Sequence, residues 1–182
     1  AAPSIPLASC DDDDSGNLSY ISIRYGGFNL AANNEINGLT LGAVGRSTDI
    51  DHIEVFQNKD DGIELFGGAA NLKNVAMING GDDGLDYDEG WRGKVQFMLV
   101  VQGTPGTDKS DKGSERDGGN VGDTSQPRSI PTVYNGTYIG LGGTKNYTDH
   151  FMNTALHFRD NGGGREYKRL FPPFGGATIQ IE

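Results

Sequence analysis

Two nine-residue stretches of this chain echo each other: Asp60-Asp61-Gly62-Ile63-Glu64-Leu65-Phe66-Gly67-Gly68 and Asp82-Asp83-Gly84-Leu85-Asp86-Tyr87-Asp88-Glu89-Gly90. From Asp60 to Asp82 is 22 residues. Each copy opens with an Asp pair and a Gly, then alternates apolar and acidic residues. A fixed period of this length is the mark of a solenoid, in which each repeat is too small to bury its own apolar face and must stack on the next.

The period extends well beyond the echo. Asn37-Gly38-Leu39-Thr40-Leu41 aligns with Asp61 to Leu65 and then with Asp83 to Tyr87, at steps of 24 and 22 residues. A second series opens at Leu18, Ile50, Leu72 and Val95, with 22 residues from Ile50 to Leu72 and 23 from Leu72 to Val95. Its apolar positions line up as Ile21, Ile53, Val75 and Met98, then Ile23, Val55, Met77 and Val100. The unit reads as strand, turn, short strand, turn. Val133 to Gly140, Thr154 to Arg159, Tyr167 to Phe174 and Ala177 to Glu182 continue it as strands, and Gly113 to Gly118 reads as a degraded short strand. The chain of 182 residues therefore holds about six coils of roughly 22 residues.

The expected fold is all-β, a right-handed parallel β-helix spanning 18–182, with an arm or incomplete first coil over 1–17 and a long loop at 103–128. Coils stacked in register pair their backbones and build continuous apolar columns. Glycine is abundant, at 29 residues, and is expected at corners where the backbone needs positive φ. An antiparallel sandwich is the competing reading, but it leaves the 22-residue columns accidental. No apolar stripe of period 3.6 supports a helical solenoid.

Charge narrows function. The net charge is −10 and the pI about 4.6. Nucleic acid is excluded as a partner, because a phosphate-binding face needs concentrated Lys and Arg. No apolar run is long enough to make a transmembrane segment. The single cysteine, Cys10, permits no internal disulfide. Leu7-Ala8-Ser9-Cys10 looks like a lipoprotein cleavage site, but Ala1 to Pro6 is not the apolar leader such a site needs, so an ordinary thiol in an extended arm is the plainer reading. Asn17, Asn135 and Asn146 open sequons that permit glycosylation.

Within the short strands Leu39, Ile63 and Leu85 point to the core. Thr40, Glu64, Asp86, Glu115, His157 and Gln180 then form one outward column, and Gly42, Phe66, Asp88, Asp117, Arg159 and Glu182 a second. Asp60-Asp61 and Asp82-Asp83 stack at the preceding corner. With coils about 4.8 Å apart, these carboxylates repel unless cations neutralise them. Ca²⁺, which takes six to eight hard oxygens, is the expected cofactor, with Asp60, Asp61, Glu64, Asp82, Asp83, Asp86 and Asp88 as candidate ligands. The pattern matches neither the EF-hand order nor the nonapeptide Ca²⁺ repeat. The plainer alternative is turn chemistry, in which Asp side chains accept hydrogen bonds from the backbone.

Paired carboxylates also fit a glycoside hydrolase, and Ca²⁺ with a basic residue fits a polysaccharide lyase. Asp82, Asp83, Asp86 and Asp88 with Arg92 are the catalytic candidates, and Arg116 is a further base. His52, His150 and His157 have no partner at metal spacing and no nucleophile motif beside them. Trp91 is a candidate for stacking on sugar, against the commoner role of packing a turn, and Tyr87 alternates inward.

The stretches at Asn37 to Gly45, Asp60 to Gly68 and Asp82 to Phe97, with Tyr134 to Gly140, resemble a family of exported bacterial parallel β-helix proteins of the pectate-lyase-like superfold. The resemblance runs from about Asp13 to Glu182. It implies a right-handed parallel β-helix and an extracellular or cell-surface location, and it carries over no catalytic residues. The expected role is structural or adhesive, with extracellular polysaccharide or further copies of the chain as partners. Strands running to the last residue leave edges for head-to-tail stacking into filaments. The alternative function is the lyase or hydrolase.

Overall fold

The computed structural model describes residues 10–31, 36–103, 110–119, 126–142, 154–172 and 174–182. His150, the Asn146 sequon, all of the arm before Cys10 and much of the 103–128 loop lie outside them. The strands are β1 (Asn17–Arg24), β2 (Leu39–Gly42), β3 (Asp49–Phe56), β4 (Ile63–Phe66), β5 (Asn71–Ile78), β6 (Leu85–Asp88), β7 (Lys94–Val101), β8 (Lys112–Asp117), β9 (Thr132–Ile139), β10 (Thr154–Arg159), β11 (Arg165–Tyr167) and β12 (Ile179–Ile181). Odd strands form one six-stranded sheet and even strands another, and every pairing is parallel. The fold is a right-handed parallel β-helix of six coils.

The registers reproduce the columns read from the period. Ile21, Ile53, Val75 and Met98 are paired, as are Ile23, Val55, Met77 and Val100. Thr40, Glu64, Asp86, Glu115, His157 and Gln180 form one outward row. Ile63, Leu65, Leu85 and Val95 have no exposed surface. Each such side chain contributes about 1.5–3 kcal/mol by leaving water. Among the described residues no helix is long and apolar enough to cross a membrane.

Several expectations need correction. The short strand expected over Gly113 to Gly118 is present as β8 and is not degraded, since it pairs on both sides and all six of its residues are buried. The strand expected over Tyr167 to Phe174 lies earlier, at β11, with only an isolated bridge from Thr137 to Leu170 beyond it. Its prolines, Pro172 and Pro173, carry no N–H to donate to a ladder.

The coil also has a bend that the repeat unit did not show. β1, β3, β5, β7 and β9 each pass through one left-handed residue, Tyr20, His52, Asn74, Phe97 and Asn135, and Lys168 follows β11 at the equivalent place, with φ between +51° and +60°. This residue shifts the alternation by one place. In β3 the buried positions are therefore Ile50, then Ile53 and Val55, rather than every second residue. One continuous ladder thus turns a corner, and the coil has three faces. Side chains at such φ cost about 1–2 kcal/mol each. The cost is offset by returning an apolar side chain to the core after the bend.

Glycine does two jobs: Gly67, Gly68 and Gly90 take the positive φ expected at corners, and others serve a purpose the sequence did not show. Among the described residues thirteen non-glycines and seven glycines have positive φ, and Gly62 and Gly84 are not among them. They are needed for space. A Cβ on Gly62 would stand 2.5 Å from Met77 Cγ and 2.6 Å from the Gly84 carbonyl oxygen. One on Gly84 would stand 2.4 Å from Val100 Cγ1 and 2.7 Å from the Gly113 oxygen. Gly38, Gly62, Gly84 and Gly113 are one stacked column where the short strand is pressed against the long-strand core.

An ion pair is sealed inside the apolar core. Arg116 of β8 takes an inward place between Tyr87 and Phe158 and has no exposed surface. Its guanidinium meets Glu166, donates to Tyr138 Oη at 3.0 Å and to Ser114 Oγ at 3.2 Å, and lies over the Tyr87 and Phe158 rings. Burying a charge costs several kcal/mol unless it is paired and hydrogen-bonded. Glu166, Tyr138 and Ser114 supply much of that pairing, while Arg116 Nη1 and Glu166 Oε2 are buried without a hydrogen bond.

Overpacking costs about 1–3 kcal/mol in a close-packed interior. Gly62→Ala is expected to lower stability by that amount in thermal melts followed by circular dichroism. Gly42→Ala, with nothing within 4 Å of the added carbon, is expected to leave the melt unchanged.

Candidate functional site

The even strands present the acidic face. Asp60 and Asp61 precede β4, Asp82 and Asp83 precede β6, and Asp111 and Lys112 stand at the start of β8. At each Asp-pair corner the second Asp is buried and the glycine after it lets the strand press against the core. Register then stacks each carboxylate on the next.

Two of the acids carry out turn chemistry. Asp61 Oδ1 accepts the backbone N–H of Asp83 at 2.9 Å, and Asp83 Oδ1 accepts that of Lys112 at 2.7 Å. Both are buried, and each ties its coil to the one above. The other acids gather around them. Carboxylate oxygens lie within 4.8 Å of one another in four overlapping sets: Asp60, Asp61 and Asp82; Asp61, Glu64 and Asp86; Asp82, Asp83 and Asp111; and Asp83, Asp86 and Glu115. Asp88 belongs to the neighbouring row and stands outside these sets; its Oδ1 accepts the Glu89 N–H at 2.6 Å.

The two ends of the ladder are closed by this chain's own donors. Asn37 donates its Nδ2 to Glu64. At the other end Lys112 Nζ contacts Asp111, lies 2.8 Å from Glu115 Oε1 and 4.0 Å from Asp83 Oδ2. Arg159 grips Asp117 through two bonds, at 3.0 and 2.5 Å, and reaches Glu115 Oε2 at 2.7 Å. In the middle, Asp86 Oδ1 is buried and has no hydrogen-bond partner.

Burial first, and the neighbouring carboxylates second, push Asp61, Asp83 and Asp86 well above the usual carboxylate range. Glu64 rises to about 7, chiefly by burial, against the lowering effect of Asn37. Asp82 rises to about 6 by burial and by Asp111. Burial pulls Lys112 down, but Asp83, Asp111 and Glu115 outweigh it and raise the ammonium above its ordinary value.

The donor set fits a hard divalent cation. Oxygens bound to one Ca²⁺ at about 2.3–2.6 Å lie no more than about 5 Å apart. The four sets meet that limit, and among them the buried Asp86 Oδ1 accepts no hydrogen bond. Asp61, Glu64 and Asp86, with Asp60 and Asp82 at the corner, are the residues placed to hold it.

Of the catalytic candidates, Asp82, Asp83 and Asp86 stand in the ladder, and Asp88 and Arg92 stand apart from it. Arg92 is turned away to Asp11 at 2.5 Å and to the Gly90 carbonyl at 2.7 Å. Arg116 is sealed in the core. Trp91 is fully buried, its Nε1 donating to the Ala70 carbonyl at 3.1 Å, so no sugar ring reaches it. His52 stacks on Tyr20 at 4.4 Å, and His157 lies between Glu115 and Glu182 at 3.5 and 3.4 Å. Asp111 and Lys112 were missed by the sequence reading. Their signal was present: Asp111-Lys112-Gly113 is a third copy of Asp-Asp-Gly with Lys in the second place, hidden by a step of 29 residues from Asp82 to Asp111.

With the geometry in place, the comparisons with known proteins are informative. The family described as Pectate-lyase like beta helix domain matches residues 8–169. The chain belongs to that family. No curated protein and no solved structure matches it.

A carboxyl whose folded pKa is raised contributes stability below its unfolded pKa and loses it as pH rises through the folded value. For Glu64 that window runs from about 4.5 to about 7, and for Asp82 from about 3.8 to about 6. In chelator, the melting temperature is therefore expected to fall between pH 5 and pH 8. Glu64→Gln is expected to flatten the upper part of that fall.

Proposed function

We propose that this chain is a non-catalytic, exported structural or adhesive β-helix whose acidic ladder binds Ca²⁺. The observation that carries the reading is the buried, unpartnered Asp86 Oδ1 within sets of carboxylate oxygens no more than 4.8 Å apart. A shared cation relieves the repulsion that such packing creates. The location at the cell surface or outside the cell follows the acidic composition and the β-helix family.

An adhesive surface is available away from the ladder. Lys73, Lys94, Gln96 and Tyr134 line a groove of about 600 Å³ beside the odd-numbered strands. Neither lysine has an ion-pair partner among the described residues, and Tyr134 is 39% exposed and stacked on Tyr167 at 4.9 Å. Cations beside an exposed ring suit an acidic polysaccharide. Self-association through the edge strands of the stack belongs to the same reading.

A second reading, a polysaccharide lyase or hydrolase, draws on Asp82, whose pKa of about 6 is in the range of a general acid. It requires turnover of an acidic polysaccharide that Asp82→Asn abolishes.

Thermal melts with CaCl₂ and with EDTA, with light scattering in parallel, test the first reading. At a Ca²⁺ concentration 100 times Kd the gain is about 2.7 kcal/mol, roughly 5–10 °C for a chain of this size. Asp86→Asn is expected to abolish the gain and keep the fold. No response to either reagent in the parent protein sinks the metal reading. In a separate test, Lys73→Glu with Lys94→Glu is expected to weaken retention on immobilised polygalacturonate about tenfold or more, a loss of about 1.4 kcal/mol, and to leave retention on dextran unchanged.

A further inference from the structure

The ladder repeats one relation at successive coils. Asp83 N–H bonds to Asp61 Oδ1, and Lys112 N–H bonds to Asp83 Oδ1. Lys112 therefore occupies, one coil on, the place that Asp61 and Asp83 occupy before it. The glycine that follows each is part of one column, and the acid that precedes each is Asp60, Asp82 or Asp111. Two of the four carboxylate sets, Asp82 with Asp83 and Asp111, and Asp83 with Asp86 and Glu115, surround this lysine. Its ammonium touches or faces a member of each: Asp111, Glu115 at 2.8 Å and Asp83 at 4.0 Å. The Lys112 side chain is only 9% exposed, so the charge is committed to the ladder rather than to water.

The remaining two sets, one step earlier, have no such group. There the equivalent column position is Asp83 itself, and the buried Asp86 Oδ1 lacks a partner. Asp86 belongs to a set on either side of the step. The ladder thus has two equivalent cation positions, and the chain supplies its own cation at one of them.

We propose that Lys112 is a tethered counter-ion that fills the second of two divalent-cation positions in the acidic ladder, and so limits the ladder to one bound ion. This rests on the ladder binding Ca²⁺ as proposed above. The positions differ in chemistry. An ammonium brings one charge and three directional donors and cannot leave, whereas Ca²⁺ brings two charges and exchanges with solvent. Lys112 secures the β8 end of the ladder at any Ca²⁺ concentration, and only the β4–β6 step responds to the ion.

The test is Ca²⁺ stoichiometry by isothermal titration calorimetry in chelator-treated buffer. It compares the parent protein, Lys112→Asp, which restores the Asp-Asp-Gly motif, Lys112→Gln, and Lys112→Arg as a charge-conserving control. Circular dichroism checks the fold of each. The expected result is one ion for the parent and Lys112→Arg, and two for Lys112→Asp. Lys112→Gln keeps a folded comparison if Lys112→Asp does not fold, with two ions again expected. One ion in every protein overturns the role of Lys112 and leaves the proposed function standing. Two ions in the parent also overturn it. No ion in the parent but one in Lys112→Asp removes the native Ca²⁺ reading and supports Lys112 as occupant of a cation position. No ion in any protein overturns both.

Discussion

Parallel, in-register stacking is the constraint on which the rest of this structure depends. Neighbouring coils pair residue for residue at about 4.8 Å, so each side chain meets its counterpart from the coil above and below. Like therefore meets like. Apolar rows gain from this, since Ile53 on Val75 and Val55 on Met77 fill one continuous core. Acidic rows suffer from it, since Glu64 on Asp86 and Asp86 on Glu115 place charge on charge. The acidic ladder is the electrostatic consequence of a repeat that is otherwise stabilising.

The chain answers that repulsion in three ways along one row. At the β2 end, Asn37 donates to Glu64. At the β8 end, Lys112 and Arg159 bring fixed positive charge. Between them, burial and mutual repulsion raise carboxylate pKa values, so protons or a metal ion must complete the balance. Arg116 shows the same logic turned inward. It interrupts an apolar column yet is tolerated, because Glu166 and Tyr138 arrive from the opposite sheet to meet it.

The architecture was legible because the period is carried by residue types with strong physical roles. Branched apolar residues at matched positions stack, and Gly62 and Gly84 recur where a Cβ would collide with Met77 or Val100. Legibility failed where identity varies while geometry repeats. The bend residues are Tyr, His, Asn, Phe, Asn and Lys, and no one residue type announces a left-handed turn. It failed again at β8, whose Lys, Glu, Arg and Asp look like a solvated loop until Tyr87 and Phe158 on the flanking coils are seen to enclose Arg116. The acids of the candidate site were named from their period, but Lys112 was not, because the insertion before it broke the spacing. Arg92 was placed near the acids by sequence proximity, and the docking of Asp11 draws it elsewhere.

The ladder of bends has a consequence for how this molecule could change. At each bend the backbone turns outward, so the side chain there does not enter the core. Tyr20 is 79% and Phe97 47% exposed, and the six positions hold five residue types. The fold dictates the conformation at this ridge and leaves the chemistry open. The result is an addressable strip, one position per coil, on which substitutions can be written in a row without renegotiating the interior.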